Sequence, residues 1–376
     1  MKILTVLTYY HPHWTGLTVI AKSIAEGLAV RGHDVTVLTT RHDEKLAARE
    51  DVEGVHVIRV RSIGRLSRGV IAPALPLATA RLIGANDIVQ IHTPLPESLV
   101  VAGLCRVRGR PLVMTHQGDL VMPAGLANQA LERTGTALLH ATGRLATRIT
   151  TLSADYGGHS TFLSPFLDKL DAIHPPVEIP PPGPGAATWR AELGLEGRPV
   201  VGFAGRWVEE KGFDFLLRAI PALAGAEPDV HLVYAGEHRM VYEDFYERCR
   251  PLVDAHRDRV TFVGLIRDRR RLADFFGLCD VFALPSRTDA FGAVQVEAML
   301  CGTPVVATDL PGAREPVRLT GMGRLVAPQE PEALAAGLLE VLRDPAAYTR
   351  SREEIRAVFD PERSIDRYEA LLASLA

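Results

Sequence analysis

Two carboxylates eight positions apart, Asp289 and Glu297, bracket the start of an apolar stretch that ends at Gly302. Upstream, Arg206 and Lys211 share the loop Gly205-Arg206-Trp207-Val208-Glu209-Glu210-Lys211-Gly212. Arginine grips a phosphate through two parallel N–H donors, and lysine adds a mobile point charge. Together on one diphosphate they would neutralise it and stabilise it as a leaving group, with no covalent intermediate. The carboxylates ask for a different partner, because a carboxylate accepts hydrogen bonds from ribose and hexose hydroxyls. A sugar nucleotide has both parts. The alternative is a surface loop in which Glu209 and Glu210 neutralise the two cations.

These residues need elements to place them. Residues 281–284 read as a buried strand broken by Pro285, with Thr288 or Asp289 as the cap of a helix over about 291–300 and a further strand over 303–307. In an open parallel sheet, ligands sit at the carboxyl ends of strands, where a helix N-terminus offers unpaired N–H groups. The cation loop lies in such a place, between a strand over 199–204 and a helix whose Phe215, Leu216, Ala219 and Ile220 face inward. Strands over 230–235 and 260–263 end at Gly236 and Gly264, and either glycine admits a ligand or turns the chain.

The first half alternates in the same way. A strand over 2–8 and a loop ending in Gly16 precede a helix with Leu17, Ile20, Ala21, Ile24 and Leu28 inward; it stops at Gly32 before a strand over 34–39. Gly16 stands alone, with no G-x-G-x-x-G, so a nicotinamide fingerprint is absent and a tight turn is the competing reading. Further strands fall at 55–60, 88–91, 111–115, 148–151 and 170–173, with helices around 96–106 and 127–147. This is doubly wound α/β alternation. Thr115-His116-Gln117-Gly118-Asp119 follows one of these strands and puts His116 and Asp119 at a carboxyl edge; His92 holds a similar place one strand earlier.

Prolines 175, 176, 180, 181, 182 and 184 form an extended linker that divides the chain into residues 1–178 and 179–360, with a terminal helix over about 361–376 returning to the first domain. Length alone asks for two cores: 376 residues exceed one ordinary hydrophobic interior. A 47% apolar and 23% charged composition is that of a globular protein, and a net charge of −3 implies no general attraction to nucleic acid. Arg59, Arg61, Arg65, Arg68 and Arg81 fall in a stretch without one acid, followed by Arg106, Arg108 and Arg110; they form a solvated face or a patch for anionic lipid. Cys105, Cys249, Cys279 and Cys301 are scattered, without metal-ligand spacing, and read as reduced structural thiols. The N-terminal apolar run is too short for a signal peptide, and no run spans a membrane. The expected location is cytoplasmic, with peripheral contact at the inner membrane face through the 59–81 region.

Four blocks then combine: Arg31-Gly32-His33-Asp34-Val35-Thr36-Val37, Thr115-His116-Gln117-Gly118-Asp119, Gly202-Phe203-Ala204-Gly205-Arg206 with Lys211-Gly212, and Pro285-Ser286 through Pro304-Val305-Val306-Ala307. With them, nearly the whole chain resembles the retaining GT-B glycosyltransferases of family 4. The resemblance implies two Rossmann-like doubly wound domains facing an interdomain cleft, the first on the acceptor side and the second holding the donor, a UDP- or GDP-sugar. It implies Arg206 and Lys211 on the diphosphate, Glu297 on the ribose, Asp289 on the donor hexose, and the N–H groups of Phe291, Gly292 and Ala293 facing phosphate and sugar. Gly16 would approach the diphosphate and His116 the transferred sugar. Transfer to a hydroxyl acceptor (lipid, saccharide or small metabolite) would keep the anomeric configuration, with no metal and no cofactor beyond the donor. Three departures stand out. The family usually has Glu at position 289, and losing one methylene withdraws the carboxylate by roughly 1.5 Å; a Gly pair is commoner at Thr15-Gly16-Leu17; and His174-Pro175-Pro176-Val177 replaces an Asn-Gly turn. Competing readings are a sugar-nucleotide epimerase or hydrolase of similar fold, and a catalytically silent nucleotide-sugar binder.

Overall fold

The computed structural model describes residues 1–66, 69–122, 125–240 and 242–376. It separates into two compact units, Met1–Pro176 with Pro361–Ala376, and Val177–Asp360.

The first unit is built on strands β1 (Lys2–Val6), β2 (Asp34–Arg41), β3 (Arg49–Val52), β4 (Val55–Arg61), β7 (Ile88–Thr93), β8 (Leu112–His116), β9 (Arg148–Thr151) and β10 (Leu170–Ala172), with a separate antiparallel ribbon of β5 (Gly64–Leu66) and β6 (Gly69–Ile71). The sheet order is β10-β9-β8-β7-β1-β2-β4-β3, parallel except for the β3–β4 pair. Every residue of β7 and β8 is buried, as expected of central parallel strands covered on both faces. Helices α1 (Gly16–Val30), α2 (Ala74–Leu82), α3 (Ser98–Arg108), α4 (Leu126–Leu145) and α5 (Ala154–His159) make the crossovers. α2 packs beside α3 and α3 beside α4, while α1 packs against the C-terminal helix Pro361–Ala373. That last contact explains Gly27, where a Cβ would come within 2.8 Å of Ile365. Arg31 bridges Glu362 at 2.8 Å and Asp366 at 2.7 Å across the same seam.

The second unit is a six-stranded parallel sheet ordered β13-β12-β11-β14-β15-β16: β11 (Val200–Ala204), β12 (His231–Ala235), β13 (Val260–Gly264), β14 (Val281–Leu284), β15 (Val305–Thr308) and β16 (Gly323–Val326). Its helices are α6 (Gly185–Glu192), α7 (Phe213–Ala226), α8 (Phe245–Ala255), α9 (Arg269–Leu278), α10 (Ala293–Leu300), α11 (Glu315–Thr320), α12 (Pro331–Arg343), α13 (Pro345–Tyr348) and α14 (Arg352–Val358). Trp207, 1% exposed, centres an aromatic core with Phe213 at 4.4 Å and Tyr234 at 5.2 Å between ring centroids. No helix among the described residues is long and apolar enough to cross a membrane.

Several expectations are corrected. The proline run is not a free linker. Ile179 is fully buried, the Gly183 amide donates to Asp274 at 2.8 Å and Pro182 lies against Gly277, so the segment is docked on the second unit. α10 begins at Ala293, not Phe291, since Gly292 adopts the left-handed conformation (φ 69°). The four-residue β3 and the β5–β6 ribbon had no apolar alternation to announce them. Arg59 leaves the exposed patch: its side chain is fully buried, pairs with Glu50 at 2.5 Å and donates to the His11 carbonyl at 2.7 Å. Arg68 lies outside the described residues, as does the Arg65 side chain.

Candidate active site

In the second unit, the loop after β11 is held from inside. The Trp207 amide donates to the Glu237 carbonyl at 2.9 Å and its indole fills the core, leaving Arg206 and Lys211 to point outward from a fixed main chain. Gly236 is explained by packing: a Cβ there would lie 1.9 Å from the Gly205 carbonyl oxygen. Arg206 donates to the Tyr242 hydroxyl and pairs with Glu210 at 3.5 Å. Glu209 instead pairs with Arg248 at 2.6 Å. The surface-loop alternative is therefore met in part, by the Arg206–Glu210 contact.

Lys211 reaches a different partner. Its Nζ lies 2.6 Å from Asp289 Oδ2, with the side chains 25% and 13% exposed. Asp289 Oδ1 accepts from the Gly292 amide at 3.0 Å and from the Phe291 amide at 3.5 Å. One short carboxylate thus closes the turn before α10 and holds the lysine at that helix start. Phe291 itself is core, fully buried with its ring 5.5 Å from that of Phe359, so only its main chain faces the turn. The amides of Ala293 and Val294, in the first turn, find no acceptor among the described residues. Both residues are partly exposed, and their amides carry the helix's partial positive charge. Glu297, one turn further, pairs with Arg269 at 2.7 Å, and that arginine also donates to the Glu178 carbonyl.

Two positioning groups escaped the sequence reading. Arg287 makes paired 2.8 Å bonds to the Asp214 carboxylate and donates to the Glu209 carbonyl at 2.7 Å, with its guanidinium over the Phe215 ring. It rivets the loop bearing Lys211 to the loop bearing Asp289. Arg269 orients Glu297. Neither arginine stands in a motif; their partners are 73 and 28 positions away in sequence.

In the first unit, His116 ends β8 and is fully buried. Its Nδ1 lies 3.2 Å from the Thr93 hydroxyl and its Nε2 3.0 Å from Asp119, and the ring stacks on Phe162 at 4.4 Å. Asp119 also accepts from the Ser160 hydroxyl at 2.9 Å, while its amide donates to the Tyr156 hydroxyl at 2.7 Å. Burial pushes the Asp119 carboxyl up, but the bonds and charge from His116, with those from Tyr156 and Ser160, hold it below its ordinary value of 3.8. A carboxyl depressed in the folded state stabilises the fold above its unfolded value and loses that contribution as pH falls through the folded value. Wild-type protein should therefore lose stability below about pH 4 partly through this group, and Asp119→Asn should remove that part of the acid sensitivity. Urea midpoints across the acid range check this; identical profiles for both proteins would refute it.

His92 is fully buried, and burial holds its imidazole down to about 3, so it is neutral; its Nδ1 accepts from the Gln117 side chain at 2.9 Å. Gly16 opens α1, which Thr15 caps through a capping box with Thr18. A Cβ at Gly16 would meet nothing within 4 Å. The four cysteines are free and buried, and burial pushes Cys249 up to about 11 and Cys105 to about 12, which leaves no thiolate nucleophile at neutral pH. The described residues contain no group of three His, Cys, Asp or Glu side chains arranged to hold a metal ion.

The family described as "Glycosyl transferase 4-like domain" matches residues 15–176, and that described as "Glycosyl transferases group 1" matches residues 198–344. An uncharacterized glycosyltransferase of Methanocaldococcus jannaschii is 29% identical over 364 residues, 92% of this chain and 90% of that one. The D-inositol 3-phosphate glycosyltransferase 1 of Catenulispora acidiphila is 30% identical over 386 residues, 96% of this chain and 90% of that one. Among solved structures, Anabaena HepE in complex with UDP-glucose superposes with a TM-score of 0.79 over all of both chains at 22% identity. Sucrose-phosphate synthase of Thermosynechococcus elongatus also gives 0.79, at 22% identity over 100% of this chain and 98% of that one. At such identity the structures speak for the fold, while the relatives speak for the family. The chain is a glycosyltransferase of GT-B fold and belongs to glycosyltransferase family 4.

Proposed function

We propose that the protein transfers a hexose-type sugar from a nucleoside diphosphate donor, a UDP- or GDP-sugar, to a hydroxyl acceptor with retention of configuration and without a metal. The observation that carries this is the Lys211–Asp289 pair at the start of α10, with Glu297 on the same helix. A cation and the first-turn amides suit a diphosphate, and the two carboxylates suit hydroxyls. Lys211 exchanges Asp289 for phosphate, Arg206 binds the same diphosphate, and the released Asp289 meets the hexose. Glu297, oriented by Arg269, takes the ribose. The bond from the sugar's anomeric carbon to the diphosphate breaks with its electron pair leaving on phosphate oxygen. The acceptor oxygen bonds to the same face, and its proton passes to the departing phosphate. The ring of His116, committed to Thr93 and Asp119, serves by fixing the end of its own strand rather than by moving a proton.

Two similar proteins guide the choice of substrates to try: HepE was solved with UDP-glucose, and the Catenulispora relative is named for an inositol phosphate acceptor. A thermal-shift screen against UDP, GDP, ADP and dTDP sugars is the first test. A true donor stabilises the folded state by RT ln(1 + [L]/Kd), about 2.7 kcal/mol at a hundredfold excess over Kd. The stabilising donor, incubated with inositol phosphate, saccharide and lipid acceptors, should yield product only when acceptor is present, with the donor's anomeric configuration visible by NMR. Acceptor-independent release of sugar or epimer would favour the hydrolase or epimerase, and binding without turnover the silent binder.

A further inference from the structure

Between Gly54 and Thr147 the chain has ten arginines, no lysine and four carboxylates, in a protein whose net charge is −3. Three of the four carboxylates are engaged locally. Asp87 accepts from the Lys2 amide at 2.7 Å, Asp119 from Ser160, and Glu132 from the Met122 amide at 2.8 Å. The fourth, Glu97, is half-buried ahead of α3.

The outward faces of α2 and α3 combine this charge with bare apolar surface. On α2, Leu75 and Thr79 are buried, which turns Leu77 and Arg81, one helical turn apart, to the outside. On α3, Ser98, Val101, Ala102 and Cys105 are buried, and Val100 and Val107 share the opposite stripe with the partly exposed Leu104. Leu77 is 64%, Val100 51% and Val107 82% exposed. Arg81, Arg106 and Arg108 are exposed and form no ion pair among the described residues. The β5–β6 ribbon, which runs into α2, adds exposed Ile63 and Ile71.

We infer that the outer face of α2 and α3 docks onto an anionic lipid bilayer. Single exposed apolar residues are ordinary, but three on two neighbouring helices, interleaved with unpaired arginines, are what an interface helix presents. Leu77, Val100 and Val107 enter the headgroup and acyl boundary while Arg81, Arg106 and Arg108 meet lipid phosphates and the negative surface potential. A nucleic-acid partner would use the arginines and leave the three apolar side chains in water. The sheet face that α1 and the C-terminal helix cover has the carboxylates Glu362, Asp366 and Glu369 along its seam. The inference is independent of the transfer reaction.

Cosedimentation of the full chain with phosphatidylcholine vesicles, with and without phosphatidylglycerol, tests it. Binding is expected only with the anionic lipid, weakening as salt rises to about 0.5 M. Arg106→Glu/Arg108→Glu should weaken it by at least about 20-fold. Leu77→Glu/Val107→Glu should also release the protein, whereas Val30→Glu, at an exposed position on α1, should not. Far-UV circular dichroism and the salt dependence of the wild-type protein keep the test valid if a variant folds poorly. Equal or negligible partition to both vesicle types, unchanged binding in both double variants, an equal loss in Val30→Glu, or binding of single-stranded RNA as tight as that of vesicles would each overturn it.

Discussion

Lys211→Ala is expected to lower kcat/KM by roughly 10- to 150-fold, the loss of one charged hydrogen bond in the transition state. Arg206→Ala should fall in the same range. The two should not behave alike in the resting protein. Arg206 contacts Tyr242 and Glu210 at the surface, whereas Lys211 balances Asp289, which is only 13% exposed. Removing Lys211 leaves that carboxylate uncompensated beside the proposed phosphate position, so repulsion adds to the lost attraction. Lys211→Ala/Asp289→Asn should then recover part of the donor affinity lost in Lys211→Ala, a non-additivity that a double-mutant cycle measures. Wild-type rates in both single variants would remove the diphosphate assignment.

Gly212→Ala should be the most disruptive small substitution near the site. Gly212 sits at φ 67°, and a Cβ there would fall 1.9 Å from the Pro285 carbonyl oxygen, a main-chain atom that cannot swing aside. Left-handed strain and the steric clash together cost on the order of 2–5 kcal/mol. The clash also pushes the Lys211 loop from the loop that Arg287 holds to it, so donor affinity should fall with stability. Gly16→Ala is the informative contrast. With nothing within 4 Å of the added carbon, its urea midpoint should match wild type, and any rise in donor KM would report close approach of the ligand itself. A Gly212→Ala protein with unchanged midpoint and unchanged donor KM would contradict this account.

Much of the fold was legible because buried parallel strands are apolar throughout. β9 and β14 fall on the expected residues, and most others agree to within two. What was missed has physical causes. Arg-Glu-Asp-Val in β3 has no hydrophobic alternation, and it pairs only at a sheet edge. The expected start of α10 was early because Phe291 looks like the first inward residue of a helix, yet a left-handed glycine intervenes. The proline run looked like a spacer, since composition cannot tell an extended segment in water from one docked on a unit.

The residue types at the site, their spacing, and their attachment to strand ends were readable from the chain alone, because local periodicity dictates which loops emerge at a carboxyl edge. So was the family, from blocks of residues in combination. Pairing was not. That Lys211 takes Asp289 rather than Glu209 or Glu210, that Arg287 and Arg269 hold the acids in place, and that Arg59 is buried while Val107 is bare were decided by tertiary structure. Charge partners far apart in sequence are chosen by packing, and the burial of a long side chain depends on which neighbours close over it.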